Sequence, residues 1–149
     1  MEYFSNRFGL GLSVFEGFTL LESPRTFWLL TGSSHIERLR DIKVHTAGVP
    51  ILRKMKQRLK PTTTALQIFG GEAKTGIIQL DNEQLTTLLR YNEIPLSFTI
   101  TPGYVILAHK NHILGCGLYT GKSLLNQIPR SYLSPPGVGR QKNPSRSIL

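Results

Sequence analysis

Gly103-Tyr104-Val105-Ile106-Leu107-Ala108-His109-Lys110-Asn111-His112-Ile113-Leu114-Gly115-Cys116-Gly117-Leu118-Tyr119 decides the fold. Two apolar stretches, Tyr104 to His109 and Ile113 to Tyr119, flank the polar tripeptide Lys110-Asn111-His112. Both are short and rich in β-branched and aromatic residues, which predicts two strands joined by a tight connection. Gly115 and Gly117 interrupt the second strand. Glycine inside a strand marks a tight crossing or the close approach of another backbone. Thr120-Gly121 then turns the chain into a last strand near Ser123 to Gln127.

Working back from this hairpin, Leu96 to Ile100 reads as a further strand. Before it, Leu85, Leu88 and Leu89 have the i, i+3, i+4 spacing of a short helix. Asp81, followed three residues on by Gln84, resembles a capping box at its start. Thr75 to Leu80 reads as a strand. Pro61-Thr62-Thr63-Thr64 predicts a helix start, since threonine oxygens accept the first amide protons. Ala65, Leu66, Ile68 and Phe69 would form its apolar face, and Gly70-Gly71 would end it in the left-handed conformation. Ile42 to Leu52, with Pro50 inside, predicts an irregular strand, bulged or at an edge.

Towards the N-terminus, Phe18 to Glu22 and Thr26 to Thr31 flank Ser23-Pro24-Arg25 and read as a hairpin. Phe8, Leu12 and Phe15 predict a short helix over residues 7–15, weakened by Gly9 and Gly11. Ser33 and Ser34 could cap a short helix through Arg40. The many short strands with two or three short helices predict an α+β, mostly β architecture, a small and partly open barrel. Residues 1–43 are expected to pack on or complete the barrel, 44–133 to form its main domain, and the proline-containing basic stretch 134–149 to be a flexible tail.

At 149 residues and 40% hydrophobic content, the chain can bury one real core. Its apolar runs fall short of the roughly 20 residues that span a bilayer. No charged segment followed by an apolar run begins the chain, so no signal peptide is expected. A single cysteine, Cys116, cannot form an internal disulfide, and a cytoplasmic location is expected. Cys116 reads as a buried, inert thiol, since no basic neighbour in sequence would lower its pKa. His109 and His112 lack the further ligands of a zinc site, so no metal is expected. Gly121-Lys122-Ser123 lacks the glycine spacing of a phosphate loop. No arrangement of nucleophile, base and acid is recognisable, so no enzyme and no cofactor are expected.

The charge points elsewhere. The net charge is +9, and it is segregated. Residues 42–71 carry Lys43, Arg53, Lys54, Lys56, Arg58 and Lys60 without a carboxylate. Residues 94–149 carry Lys110, Lys122, Arg130, Arg140, Lys142 and Arg146, again without one. Such segregation suits a polyanion. Arg53, Lys54, Lys56, Arg58 and Lys60 lead straight into the helix start at Thr62, where amide groups favour phosphate. Asn126 and Gln127 either meet sugar and base edges or satisfy backbone groups where the barrel closes, and Arg130 offers a planar fork to phosphate. These residues, with Lys110, are the expected RNA contacts.

Three stretches carry a family resemblance: Lys60-Pro61-Thr62-Thr63-Thr64-Ala65-Leu66-Gln67-Ile68-Phe69-Gly70; Gly76-Ile77-Ile78-Gln79-Leu80-Asp81 with Leu88-Leu89 and Asn92-Glu93-Ile94; and the hairpin with Asn126-Gln127-Ile128-Pro129-Arg130 after it. Over most of residues 44–133 the chain resembles the PUA-like domain appended to RNA cytosine-5 methyltransferases of the RsmF and Nol/Nop/Sun type. The resemblance implies a pseudo-barrel that grips structured RNA, such as rRNA or tRNA. The chain departs from these enzymes in lacking a cofactor-binding glycine turn and paired catalytic cysteines. The expected role is therefore a non-catalytic module that assists RNA modification or ribosome assembly, beside a separately encoded methyltransferase where one is involved. The alternative is a protein-interaction subunit that docks to such an enzyme or assembly complex.

Overall fold

The computed structural model describes residues 1–32 and 48–133. The chain opens with helix α1 (Glu2–Phe8), which Gly9 stops at φ 63 by donating its N–H to the Ser5 carbonyl. The helix expected over residues 7–15 is thus two pieces, because Gly9 turns left-handed and Leu12–Phe15 forms only a 3-10 turn. Phe8 and Phe15 are buried, but Leu12 points to solvent.

Strands β1 (Phe18–Glu22) and β2 (Thr26–Thr31) form the expected hairpin. β3 (Val49–Lys54) pairs with β2, and β4 (Leu59–Pro61) pairs with β3, giving a four-stranded antiparallel sheet in sequence order. Phe27 faces Leu52 and Trp28 faces Pro50, so Ile51 is an extra residue on β3. The bulge stands beside Pro50, which has no N–H for the ladder. β3 is an interior strand and begins at Val49; residues 42–47 of the expected strand, and the helix expected from Ser33 to Arg40, lie outside the described residues.

Helix α2 (Thr63–Phe69) starts as expected: the Thr62 hydroxyl accepts from the Ala65 N–H at 3.1 Å. It does not end in a left-handed glycine. Gly70 stays right-handed at φ −65 and continues into a 3-10 turn, Gly70–Glu72. Ile68, assigned to the apolar face, is exposed; Ala65, Leu66 and Phe69 are buried.

The second sheet gathers β5 (Ile77–Gln79), β6 (Glu93–Pro95), β7 (Gly103–His109), β8 (His112–Tyr119) and β9 (Ser123–Asn126) in the order β5-β7-β8-β9-β6. Only β5 and β7 run parallel. Between β5 and β6 lies α3 (Asn82–Tyr91), started by a complete Asp81–Gln84 capping box. Helix α4 (Arg130–Leu133) follows β9. The strand expected over Leu96–Ile100 is absent. There the Phe98 N–H and carbonyl bond to the Tyr119 hydroxyl, which replaces a ladder partner.

The α+β, mostly β class holds, with four short α-helices among the described residues instead of two or three, and with strands divided between two sheets that do not close into one barrel. The four-stranded sheet takes strands from both sides of residue 44. The continuous apolar run of β7 has a simple cause. Tyr104 and Ile106 join a core with Phe4, Phe8, Phe15, Leu29 and Leu66, while Val105 and Leu107 join a second core with Ile78, Leu88, Leu124 and Ile128. Alternate residues of one strand serve opposite faces, so both must be apolar. No helix among the described residues is long and apolar enough to cross a membrane.

Candidate nucleic-acid interface

The antiparallel register of β3 and β4 places Arg53 directly opposite Lys60. Like charges facing each other across a ladder destabilise it, so the pair suits an anion held between the two cations. Lys60 is half-buried and its Nζ donates to Gln127 Oε1 at 2.7 Å, tying β4 to the segment after β9. Arg53 is exposed. Both cations line a cleft of about 330 Å³. Pro50, Pro61 and Pro129 make its apolar walls, and Thr63, Thr64, Ser131 and Tyr132 complete it with Thr62 and Gln127. No carboxylate stands among the lining residues.

The cleft follows from local chemistry. Thr62 caps α2 and also donates its hydroxyl proton to the Pro50 carbonyl at 2.6 Å, so the helix start is fastened to β3. α4 swings Tyr132 over the other side, where its hydroxyl shares a hydrogen bond of 2.6 Å with Thr64 Oγ1. Thr63 is buried beneath, and its hydroxyl has no hydrogen-bond partner. The reason α2 can sit so close is Gly115: a Cβ there would stand 2.6 Å from Thr63 Cγ2. Gly117 likewise leaves room for Leu107, whose Cδ2 would be 2.7 Å from an added Cβ. Side chains, rather than the tightly crossing strand or close backbone expected from the sequence, approach these glycines.

The structure thus brings Arg53, Lys60, Thr62 and Gln127 together, with Arg130 next to Pro129 and Ser131 on the same segment. It does not bring the other expected contacts to the cleft. Lys54 forms an ion pair with Glu22 and lies over the Phe27 ring, 4.7 Å from its centroid. Lys56 and Arg58 are exposed in the turn between β3 and β4. Lys110 occupies the turn between β7 and β8 at φ 46 and does not line the cleft. Asn126 serves its own backbone, its Oδ1 accepting from the Ile128 N–H at 3.0 Å. Thr62 has both functions of its hydroxyl engaged within the fold. α2 is only seven residues long, so its dipole adds little to the cation pair. The sequence reading missed Thr63, Tyr132 and the three prolines; Pro129 to Tyr132 follows the quoted motif without a break, and an aromatic beside Arg130 was the available signal.

Cys116 is fully buried, and burial pushes its thiol up to about 12, while nearby Lys60 acts in the opposite sense. At neutral pH it is an unreactive thiol. His109 and His112 face each other at the end of the hairpin, and His109 Nδ1 lies 2.8 Å from the Leu80 carbonyl.

Residues 75–134 match the family described as the methyltransferase RsmF PUA domain. No curated protein gives a significant match. The match supports a PUA-like domain of the kind found in RNA cytosine-5 methyltransferases, and PUA domains are in general non-catalytic RNA-binding modules. The match is narrower than the resemblance read over residues 44–133. It spans the five-stranded sheet and α4, and leaves out β3, β4 and α2. Gln127, Pro129, Ser131 and Tyr132 belong to it; Arg53, Lys60 and Thr63 precede it.

Proposed function

We propose that this chain binds structured RNA, such as rRNA or tRNA, through the cleft between β3, β4 and α4, in the service of RNA modification or ribosome assembly. The observation that carries the reading is the Arg53–Lys60 pair: two cations held opposite each other in a cleft without a carboxylate. Such a pair on its own costs the fold stability, and a phosphate between the two reverses the cost. The PUA character of the matched segment supports RNA as the polyanion. The enzyme served would be an RNA methyltransferase, and Arg130 would extend the phosphate contact beyond the cleft.

Binding of a radiolabelled rRNA or tRNA fragment across a salt series tests the proposal. The unchanged chain gives a linear fall of log affinity with log salt. Arg53→Gln with Lys60→Gln lowers affinity at least about tenfold at moderate salt and reduces the slope by about 1, for the one shared phosphate no longer neutralised. Unchanged affinity and slope in a folded double variant would refute the cleft as the binding site. A salt-insensitive interaction with a protein partner instead of RNA would favour the docking alternative.

A further inference from the structure

We propose that the outer edge of β1 pairs with the same edge of a second copy of this chain, joining two four-stranded sheets into one about a two-fold axis at Leu20. β1 and β4 lie at opposite edges of the sheet, so this contact leaves both clefts open and does not depend on the RNA reading.

The four sheet edges are not alike. β4, β5 and β6 end their sheets with three residues each; β4 contains Lys60 and Pro61, and β6 contains Glu93 and Pro95. Short length, charge and proline are the devices that keep an edge from pairing with another chain. β1 has none of them beyond Glu22, whose carboxylate is taken up by Lys54 of its own sheet. It runs for five residues, Phe18-Thr19-Leu20-Leu21-Glu22, and Phe18, Leu20 and Leu21 are exposed.

The ladder fixes which backbone groups are open. The Gly17 carbonyl accepts from the Gly32 N–H, and the Ser23 N–H donates to the Thr26 carbonyl. Antiparallel bonding alternates along a strand, so Thr19 and Leu21 turn their backbone groups to β2 while Phe18, Leu20 and Glu22 turn theirs outward. This row, spaced evenly about Leu20, is its own complement. A second β1 run antiparallel through the same axis sets Leu20 opposite Leu20 of the second copy and Phe18 opposite Glu22 of the second copy. Every outward N–H and carbonyl of the row then finds a partner.

Both faces of the pairing are apolar. On one, Leu20 lines a groove of about 400 Å³ with Met1, Tyr3, Phe27 and Leu52, and the Phe18 ring stands edge-on to Phe69, 6.0 Å between centroids. On the other, Leu21 faces Trp28. Apolar residues on both faces are the pattern of a strand inside a sheet. Charge selects the occupant. The chain carries +9, but residues 1–32 hold Glu2, Glu16 and Glu22 against Arg7 and Arg25. Two basic molecules therefore meet where neither is basic, and a polyanion has nothing to hold there.

Sedimentation velocity of the full chain, without RNA and across a wide concentration range, reads the association directly. The unchanged chain should pass from monomer to dimer and no further, since a two-fold contact closes on itself. Leu20→Lys and Leu20→Glu each set like charges face to face on the axis and should weaken association at least about tenfold. Mixing the two variants in equal amounts should restore it, because a lysine then meets a glutamate; failure of the mixture to associate would overturn the axis. Leu20→Cys, a milder change, should give a covalent dimer under mild oxidation, since residues facing each other in such a pair stand about 5.5 Å apart at Cα, within disulfide reach. Leu12→Cys, exposed but outside β1, should not, and Cys116 is buried and does not compete. A chain that stays monomeric at every concentration, or that crosslinks equally at both positions, would overturn the proposal. So would a monomer that uses this edge to pair with a strand of a partner enzyme instead.

Discussion

The two sheets are built on different plans. The four-stranded sheet follows the order of the chain, each strand pairing with the next, and covers a core in which Phe4, Phe8, Phe15 and Phe69 are prominent. The five-stranded sheet reorders its strands, contains the parallel pair β5 and β7, and covers a core that is largely aliphatic. Only the second lies within the family match. The strongest basic pair sits on the first. The cleft draws its cations from one side of this division and its amide, a proline and its aromatic ring from the other, so the seam is where a recognisable scaffold acquires a particular chemistry. Four measurements can break or sharpen that contrast.

The largest effect belongs to the seam itself. Gly115 holds φ +148, and an added Cβ would press on Thr63. Gly115→Ala combines backbone strain with overpacking and should lower stability by about 2–5 kcal/mol in urea unfolding. A decrease below about 1 kcal/mol would mean that α2 rides loosely on β8 and that the two halves are less coupled than their packing indicates.

Cys116 reports on the same junction through pH. Its folded pKa, about 12, stands above the ordinary thiol value of 9.0. The unfolded chain therefore releases the proton first as pH rises. Stability from the buried neutral thiol is complete below about pH 9 and is lost between about 9 and 12, by up to about 4 kcal/mol for the three-unit difference. Denaturation curves for the unchanged chain and Cys116→Ala should diverge in this range, with the alanine variant showing the smaller decline. Parallel curves would show that the thiol is wetter than its position implies.

Cations within the cleft and those outside it should differ in binding. Arg53→Gln with Lys60→Gln is expected to cost at least about tenfold in RNA affinity, about 1.4 kcal/mol. Lys56→Gln with Arg58→Gln, in the exposed turn, should cost less than about threefold, through long-range attraction alone. Equal effects, measured by anisotropy at one salt concentration, would make the whole basic segment a diffuse surface rather than a site.

The smallest effect has an unusual sign. Arg53→Gln removes half of a like-charged cross-strand pair, so the free protein should gain a few tenths of a kcal/mol at low salt while RNA affinity falls. A drop in melting temperature would show that the Arg53 stem packs more than its charge repels.

What could be read in the sequence was local. Ser23-Pro24-Arg25, Lys110-Asn111-His112, the Thr62 cap and the Asp81–Gln84 box each act within a few residues, and each appears where expected. Leu96–Ile100 misled because its apolar spacing fits a strand, while its pairing was decided by Tyr119, far along the chain. Gly70 misled because a right-handed turn is equally open to glycine. At the site, the run from Arg53 to Lys60 was visible as charge. Which two cations meet was not, since that depends on the register of β3 against β4 and on Glu22 pairing with Lys54. Tyr132 became part of the site only when Thr64 and α4 were brought together.

One contact has a meaning for how the chain is made. Arg7, in the first turns of the protein, donates to the carbonyls of Tyr104 and Thr101, and Phe4 and Phe8 share a core with Ile106 and Cys116. During synthesis the N-terminal aromatics leave the ribosome long before those partners exist. Helix α1 must wait, with its phenylalanines unburied, until the β7–β8 hairpin has emerged, so its packing is completed by residues 97 positions further along the chain.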